Sequence, residues 1–251
     1  MVVPAEEGFD GGGGGHLGVR RPGRWTAGRI SPGDMEIVGA VENSGQPVTG
    51  VILAGGQSRR FDYVNKAFFE INGERIVDRV FRVMRTVFDD LILVTNSPAD
   101  YLNWDVRITT DIFPCRSSLT GVQAGLFLAR TPYIFVCGCD TPFLKQTLIE
   151  AVLSGLEKTA EAVVPRKDNG WFEPLCALYS KACLRPMERC LRQGTYDIRR
   201  LFDEVRLKTI DEATLRRADP ELLSFFNINT PADLRRAREI AGQEAGEGTR
   251  Q

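Results

Sequence analysis

The sequence predicts an α/β protein: a mostly parallel β-sheet with helices packed on both faces. Three observations lead there. Short continuous apolar runs, such as Val51-Ile-Leu53 and Leu91-Ile-Leu-Val94, have the character of strands covered on both sides. Between such runs lie segments whose apolar residues recur at helical spacing. Polar clusters come directly after several runs, and ligands of parallel sheets sit at the carboxyl ends of strands. Strands alternating with helices at these distances favour crossover connections over hairpins.

The first strand runs through Val51 to Leu53 and opens into Ala54-Gly55-Gly56. Residues 75–88 place Ile76, Val80, Val83, Met84 and Val87 on one helical face. Residues 91–94 form the next strand and 106–109 a third. A helix is expected over 121–129, and a strand over 133–136 with its end at Asp140. Residues 146–156 read as helix, 162–165 and 175–179 as strands, and 181–192 and 198–202 as helices. Phe225-Phe-Asn-Ile228 is expected to close the sheet. A terminal helix over 231–241 has Pro231 at its first position and Thr230 as its cap.

A chain of 251 residues, 43% hydrophobic and 26% charged, fits one large domain or two small ones. Residues 1–47 form a glycine-rich extension expected to be largely disordered. Ten of the 25 glycines fall before Met35, including Gly11 through Gly15, and such a stretch buries too little apolar area to offset its ordering entropy. Translation from Met35 is one alternative for this stretch, and an Arg-rich arm touching a partner (Arg20, Arg21, Arg24, Arg29) is another. The folded domain is expected over 48–241, with a polar tail over 242–251.

The net charge of −1 supplies no long-range attraction for nucleic acid or an anionic membrane, so any anion site must be local. No apolar run reaches the length of a membrane span, and the start of the chain has no basic-then-apolar secretory pattern. Cys115, Cys137, Cys139, Cys176, Cys183 and Cys190 read as small buried side chains in a reducing, cytoplasmic setting. The single histidine, His16, lies in the glycine-rich extension. Serine–histidine triads, histidine-bound zinc and imidazole bases are therefore not expected in the folded body.

Three clusters at strand ends carry the chemistry. Gly55-Gly56 lets backbone N–H groups approach a ligand, and Arg59, Arg60 and Lys66 add cationic donors in the same loop, a combination suited to phosphate. The spacing is neither that of a P-loop nor that of a dinucleotide fingerprint. Asp140, just past a strand, reads as a magnesium ligand beside phosphates or as the cap of the next segment. Asn227 and Asn229 alternate with Ile228 and would share one face of an extended segment. Asp111, Asp168, Asn169 and Glu173 could be local turn formers.

Leu53-Ala-Gly-Gly-Gln-Ser-Arg-Arg60 with Asn65-Lys66, Cys139-Asp140-Thr-Pro-Phe-Leu144 and Asn227-Ile-Asn-Thr-Pro231 together resemble the molybdenum cofactor guanylyltransferases. The resemblance covers roughly residues 48–241. It implies a three-layer Rossmann-like mixed sheet of the nucleotide-diphospho-sugar transferase type. It also implies Mg2+-dependent transfer of GMP from GTP to Mo-molybdopterin, with pyrophosphate leaving. By that resemblance Leu53, Ala54 and Gly55 contact the nucleotide and Arg60 and Lys66 hold its phosphates. Asp111 places the guanosine, Asp140 binds Mg2+, and Asn227 and Asn229 lie on the acceptor side, with 170–174 near the pterin. Implied partners are the two substrates and a molybdopterin-delivering protein or receiving molybdoenzyme, with no nucleic acid and no membrane. Two departures stand out: Asp62 where the family usually has glycine, and Ser117-Ser118-Leu-Thr-Gly121 where it has Gly-Pro-Leu-x-Gly. Cytidylyl transfer, another acceptor, and a non-catalytic cofactor carrier are the alternatives at this level.

Overall fold

The computed structural model describes residues 46–55 and 65–247, with side chains up to residue 243. The readings made for the glycine-rich extension up to residue 45, with His16 and Met35, and for Gly56, Arg59, Arg60 and Asp62 lie outside the described residues.

A seven-stranded sheet forms the centre, in the order β5-β4-β1-β6-β8-β7-β9. Its parallel half consists of β1 (Val48–Leu53), β4 (Leu91–Val94), β5 (Arg107–Thr109) and β6 (Tyr133–Gly138). Next to β6 lies β8 (Cys176–Ser180), antiparallel both to it and to β7 (Ala162–Arg166), while β7 pairs in parallel with the edge strand β9 (Leu207–Asp211). The sheet is therefore mixed. Strand β1 is central and has β4 on one side and β6 on the other, which makes its carboxyl end a topological switch point.

Alternation along β1 divides the core. Ile52 packs into an apolar cluster with Val80 and Met84 of α1 (Ile76–Val87) and Leu148 and Val152 of α3 (Gln146–Ser154). Its neighbour Val51 belongs to the opposite cluster, with Val122 of α2 (Ser118–Leu128) and Met187 of α4 (Leu184–Arg192). Helices thus cover both faces, and α5 (Glu212–Ala218) joins the α3 side. Gly125 brings α2 close to the sheet: a Cβ there would stand 2.6 Å from Val51 Cγ1.

Several elements differ from the sequence reading. Helix α2 starts at Ser118 rather than 121, because Ser117 caps it by accepting the Thr120 N–H at 3.1 Å. The segments at 181–183 and 198–203 are 3-10 turns. A small hairpin, β2 (Glu70–Ile71) with β3 (Glu74–Arg75), turns at Asn72 and Gly73, both at positive φ, and the Asn-Gly pair is its local signal.

The expected closing strand over 225–228 does not form. Residues 223–225 are a 3-10 turn entered through Leu222 in the left-handed region, and Ile228 donates its N–H to the Asp140 carbonyl at 3.0 Å instead of joining a ladder. The edge position belongs to β9. Helix α6 (Pro231–Glu247) continues six residues past Ala241 into the expected polar tail. Thr230 caps it as expected, accepting the Asp233 N–H at 3.2 Å while the Asp233 carboxylate takes the Thr230 N–H at 2.7 Å.

Candidate active site at the carboxyl ends of the parallel strands

A cavity of about 400 Å3 opens at the switch point. Leu53 and Gly55 from the end of β1, Asp111 beyond β5, Gly121 in α2, and Lys66 and Asp140 are among its lining. Strands β1, β5 and β6 each deliver residues just past their carboxyl ends to this one place, so groups far apart in sequence meet here.

Lys66 is the hub. Its ammonium donates to Asp140 Oδ2 at 2.5 Å, to the Ile228 carbonyl at 2.8 Å and to Asn229 Oδ1 at 3.1 Å. The pair is sheltered, with side-chain exposures of 15% and 20%, so its attraction is screened less than that of a surface bridge. Groups from the second and third sequence clusters are thus held on a cation of the first. Two local turns fix the geometry. Asn65 caps the 3-10 turn Lys66–Phe68 by accepting the Ala67 N–H at 3.2 Å, and Thr141 Oγ1 donates to the Gly138 carbonyl at 2.8 Å, tightening the bend that carries Asp140.

Asp233 supports the third arm. Burial alone would raise its carboxyl, but N–H groups of Asn229 and Thr230 and the nearby Lys66 outweigh it and hold the group below its ordinary 3.8. It accepts the Asn229 N–H at 2.9 Å, which orients the Asn229 turn toward Lys66. Asn227 lies apart from this network: it is exposed, and its amide donates to the Phe225 carbonyl at 3.3 Å.

At the other end of the cavity Asp111 Oδ2 accepts from Asn96 Nδ2 at 2.6 Å. Asn96 comes just after β4 as Asp111 comes just after β5, so the strand-end rule points to it although no motif does. Gly121 and Gly55 leave room here: a Cβ on Gly121 would come 3.3 Å from Leu53, and one on Gly55 3.4 Å from Asn96. Ser117 and Ser118, at the start of α2, line the same end together with Arg116. Leu53 and Ala54 use backbone groups inside the fold: the Leu53 carbonyl accepts from Cys139 N, and Ala54 N–H donates to Val94.

The turn between β7 and β8 rises at the same edge of the sheet. Gly170 adopts φ 83°, Lys167 and Glu173 pair at 2.6 Å, and Asp168 donates its N–H to Glu212. Asn169 accepts the Trp171 N–H, and the exposed Trp171 ring carries the Arg199 guanidinium at 5.4 Å. Asp168, Asn169 and Glu173 therefore serve this turn and its flanks.

Among the described residues no three or more of His, Cys, Asp and Glu gather as a metal-binding group. All six cysteines are free thiols, and Cys139 beside Asp140 is pushed up to about 12, first by burial and then by that carboxylate. No helix among the described residues is long and apolar enough to cross a membrane.

Residues 50–210 match the model of the MobA-like NTP transferase domain. A molybdenum cofactor guanylyltransferase of Desulfosudis oleivorans is 48% identical over 190 residues, covering 76% of this chain and 94% of that protein. A probable molybdenum cofactor guanylyltransferase of Natranaerobius thermophilus is 34% identical, covering 78% and 97%. Among solved structures, molybdopterin-guanine dinucleotide biosynthesis protein A from Archaeoglobus fulgidus superposes with a TM-score of 0.70 at 27% identity, over 78% of this chain and all of the other.

Proposed function

The chain belongs to the MobA-like NTP transferase family, and on that premise we propose that it transfers GMP from GTP to Mo-molybdopterin, forming the guanine dinucleotide cofactor. The observation that carries this reading is the convergence of Lys66, Asp140 and Asn229 beside the switch-point cavity. The transferase domain would span 48–241 and work in the cytoplasm, delivering its product to molybdoenzymes.

In the reaction, an oxygen of the molybdopterin phosphate bonds to the α-phosphorus of GTP. The bond from that phosphorus to the bridging oxygen breaks, and pyrophosphate leaves with the electron pair. The nucleophile is already ionised, so a site without imidazole suffices; positioning and charge neutralisation supply the acceleration. The nucleotide would lie along Leu53, Ala54 and Gly55, with its guanosine toward Asp111 and the adjoining Asn96. Arg60 and Lys66 would hold its phosphates, the Lys66 ammonium exchanging Asp140 for a phosphate oxygen as the nucleotide enters. Asn227 and Asn229 would face the acceptor.

The residues present also suit a hard divalent cation. Asp140, Asn229 and the Ile228 carbonyl offer three oxygens to one positive centre, now the Lys66 ammonium. A single carboxylate fits Mg2+, which keeps several waters and takes substrate phosphates as further ligands. When bound, Mg2+ would neutralise charge on the triphosphate, and Asp140 would be its protein anchor.

The test is pyrophosphate release with GTP, Mg2+ and molybdopterin. Asp140→Ala is expected to lose at least about 100-fold, the scale of removing one transition-state stabiliser. Near-normal turnover by that variant would place the essential carboxylate elsewhere, and preference for CTP over GTP would overturn the guanylyl assignment.

A further inference from the structure

Beneath Lys66 lies a residue that no motif of the sequence marks. Tyr101, in the connection from β4 to β5, is fully buried, with its ring among Phe68 at 5.2 Å and Trp104 at 5.5 Å between centroids. Its hydroxyl accepts a hydrogen bond from Asn65 Nδ2 at 3.0 Å. The other end of the same amide, Oδ1, caps the turn that begins at Lys66. Asn65 is therefore held at both ends, by the turn it caps and by a ring that cannot move without disturbing an aromatic cluster. Burial pushes the Tyr101 hydroxyl well above its ordinary 10.0, so it stays a neutral partner throughout the working range.

The same connection supports the site at two points. Asn96, at its start, is bonded to Asp111, and Tyr101, five residues on, braces Asn65. Tyr101 also packs in the cluster that contains Ala67 and Cys139, the neighbours of Lys66 and Asp140. It thus lies beneath both members of the central ion pair while remaining out of reach of any substrate.

We infer that Tyr101 is a positioning residue: its hydroxyl locks Asn65, and through Asn65 it sets the direction from which the Lys66 ammonium enters the site. The inference rests on the proposed reaction for what Lys66 ultimately holds, but the lock itself is a property of the free protein and can be measured without substrate.

The experiment uses the full chain carrying 15N-labelled lysine, following solvent exchange of the Lys66 ammonium protons by NMR. Tyr101→Phe keeps the ring and removes only the oxygen, so a change there reads the hydroxyl alone. Exchange at Lys66 should quicken, with the net worth of one hydrogen bond setting a ceiling of about fivefold. Asn65→Ala should produce the same acceleration from the other side of the lock, and the double variant should add nothing further. An unchanged Lys66 signal in Tyr101→Phe overturns the inference. So does a Tyr101→Phe effect that persists in full on the Asn65→Ala background, because the path would then bypass Asn65. In the pyrophosphate assay the variant should lower kcat/KM for GTP by a similar factor. An inactive parent protein would count against the proposed reaction, and the exchange measurement would still decide for or against the lock.

Discussion

Gly138 shows how tightly one position can be dictated. A Cβ built there would lie 2.5 Å from Asp140 Oδ1, closer than a side-chain carbon approaches a non-bonded oxygen. The carboxylate would have to swing away, while Thr141 and Ile228 keep the backbone of the bend in place. Gly138→Ala should therefore fold and melt nearly as the parent does, yet release pyrophosphate about 10- to 100-fold more slowly, because the displaced group is the one opposite Lys66. Full activity in that variant would mean that the carboxylate has more than one working position. Lys66, Asp140 and Asn229 were legible in the sequence because each lies in a short run whose chemistry is local: glycines and cations, a strand-end carboxylate, alternating amides. Asn96 and Tyr101 were not, because what gives them meaning is a partner 15 or 36 residues away.

Among the elements, the segment leading from α5 to α6 carries Asn229 into the site without a strand to hold it. Its anchor is Asp219, which is fully buried and accepts from Lys145 Nζ at 2.8 Å and from the Ser224 N–H at 2.8 Å. Ser224 in turn accepts the Lys145 N–H at 3.1 Å, closing a ring between this segment and the start of α3. Asp219→Ala removes two charge-assisted hydrogen bonds, but Lys145 is 39% exposed and can turn to water. We expect a loss of about 2–3 kcal/mol in urea unfolding. We also expect a weaker hold on Asn229, seen as a raised KM for the molybdopterin acceptor. A variant as stable as the parent would show that apolar packing of Phe225 and Ile228 holds the segment by itself. The same segment explains the one misread strand. Four residues, Phe225-Phe-Asn-Ile228, have strand-like apolarity, but in so short a run periodicity cannot tell a ladder from an extended link pinned by one backbone bond. The reverse error hid β9, an edge strand of which only Ile210 is buried and whose other side chains look like those of a loop.

For the molecule as a whole, alternating buried runs announce a parallel sheet, and six of the seven strands run the same way. The antiparallel course of β8 lies in its pairing with β6 and β7, a long-range fact that no window of sequence contains. What the finished core does contain is five buried thiols, and they bear on how stability depends on pH. Cys139 and Cys183 are each raised from an ordinary 9.0 to about 12, chiefly by burial, and burial raises Cys137 and Cys176 as well. For an acid whose folded value lies above its unfolded one, the folded state keeps the proton that the unfolded chain gives up. The stabilisation is therefore fully present below about pH 9 and is lost as pH climbs toward 12. Each such thiol removes about 1.4 kcal/mol per pH unit within that window. Against a total stability of about 5–15 kcal/mol, four of them remove a large share before most lysines titrate. The melting temperature, measured under reducing conditions, should be level from pH 7 to 8.5 and fall steeply above 9. Cys183→Ala, at a fully buried position remote from Lys66, should make that alkaline limb shallower by one thiol's share while leaving the active site untouched. A melting temperature unchanged between pH 8 and pH 10.5 would mean that the core admits water to these sulfurs in the folded state.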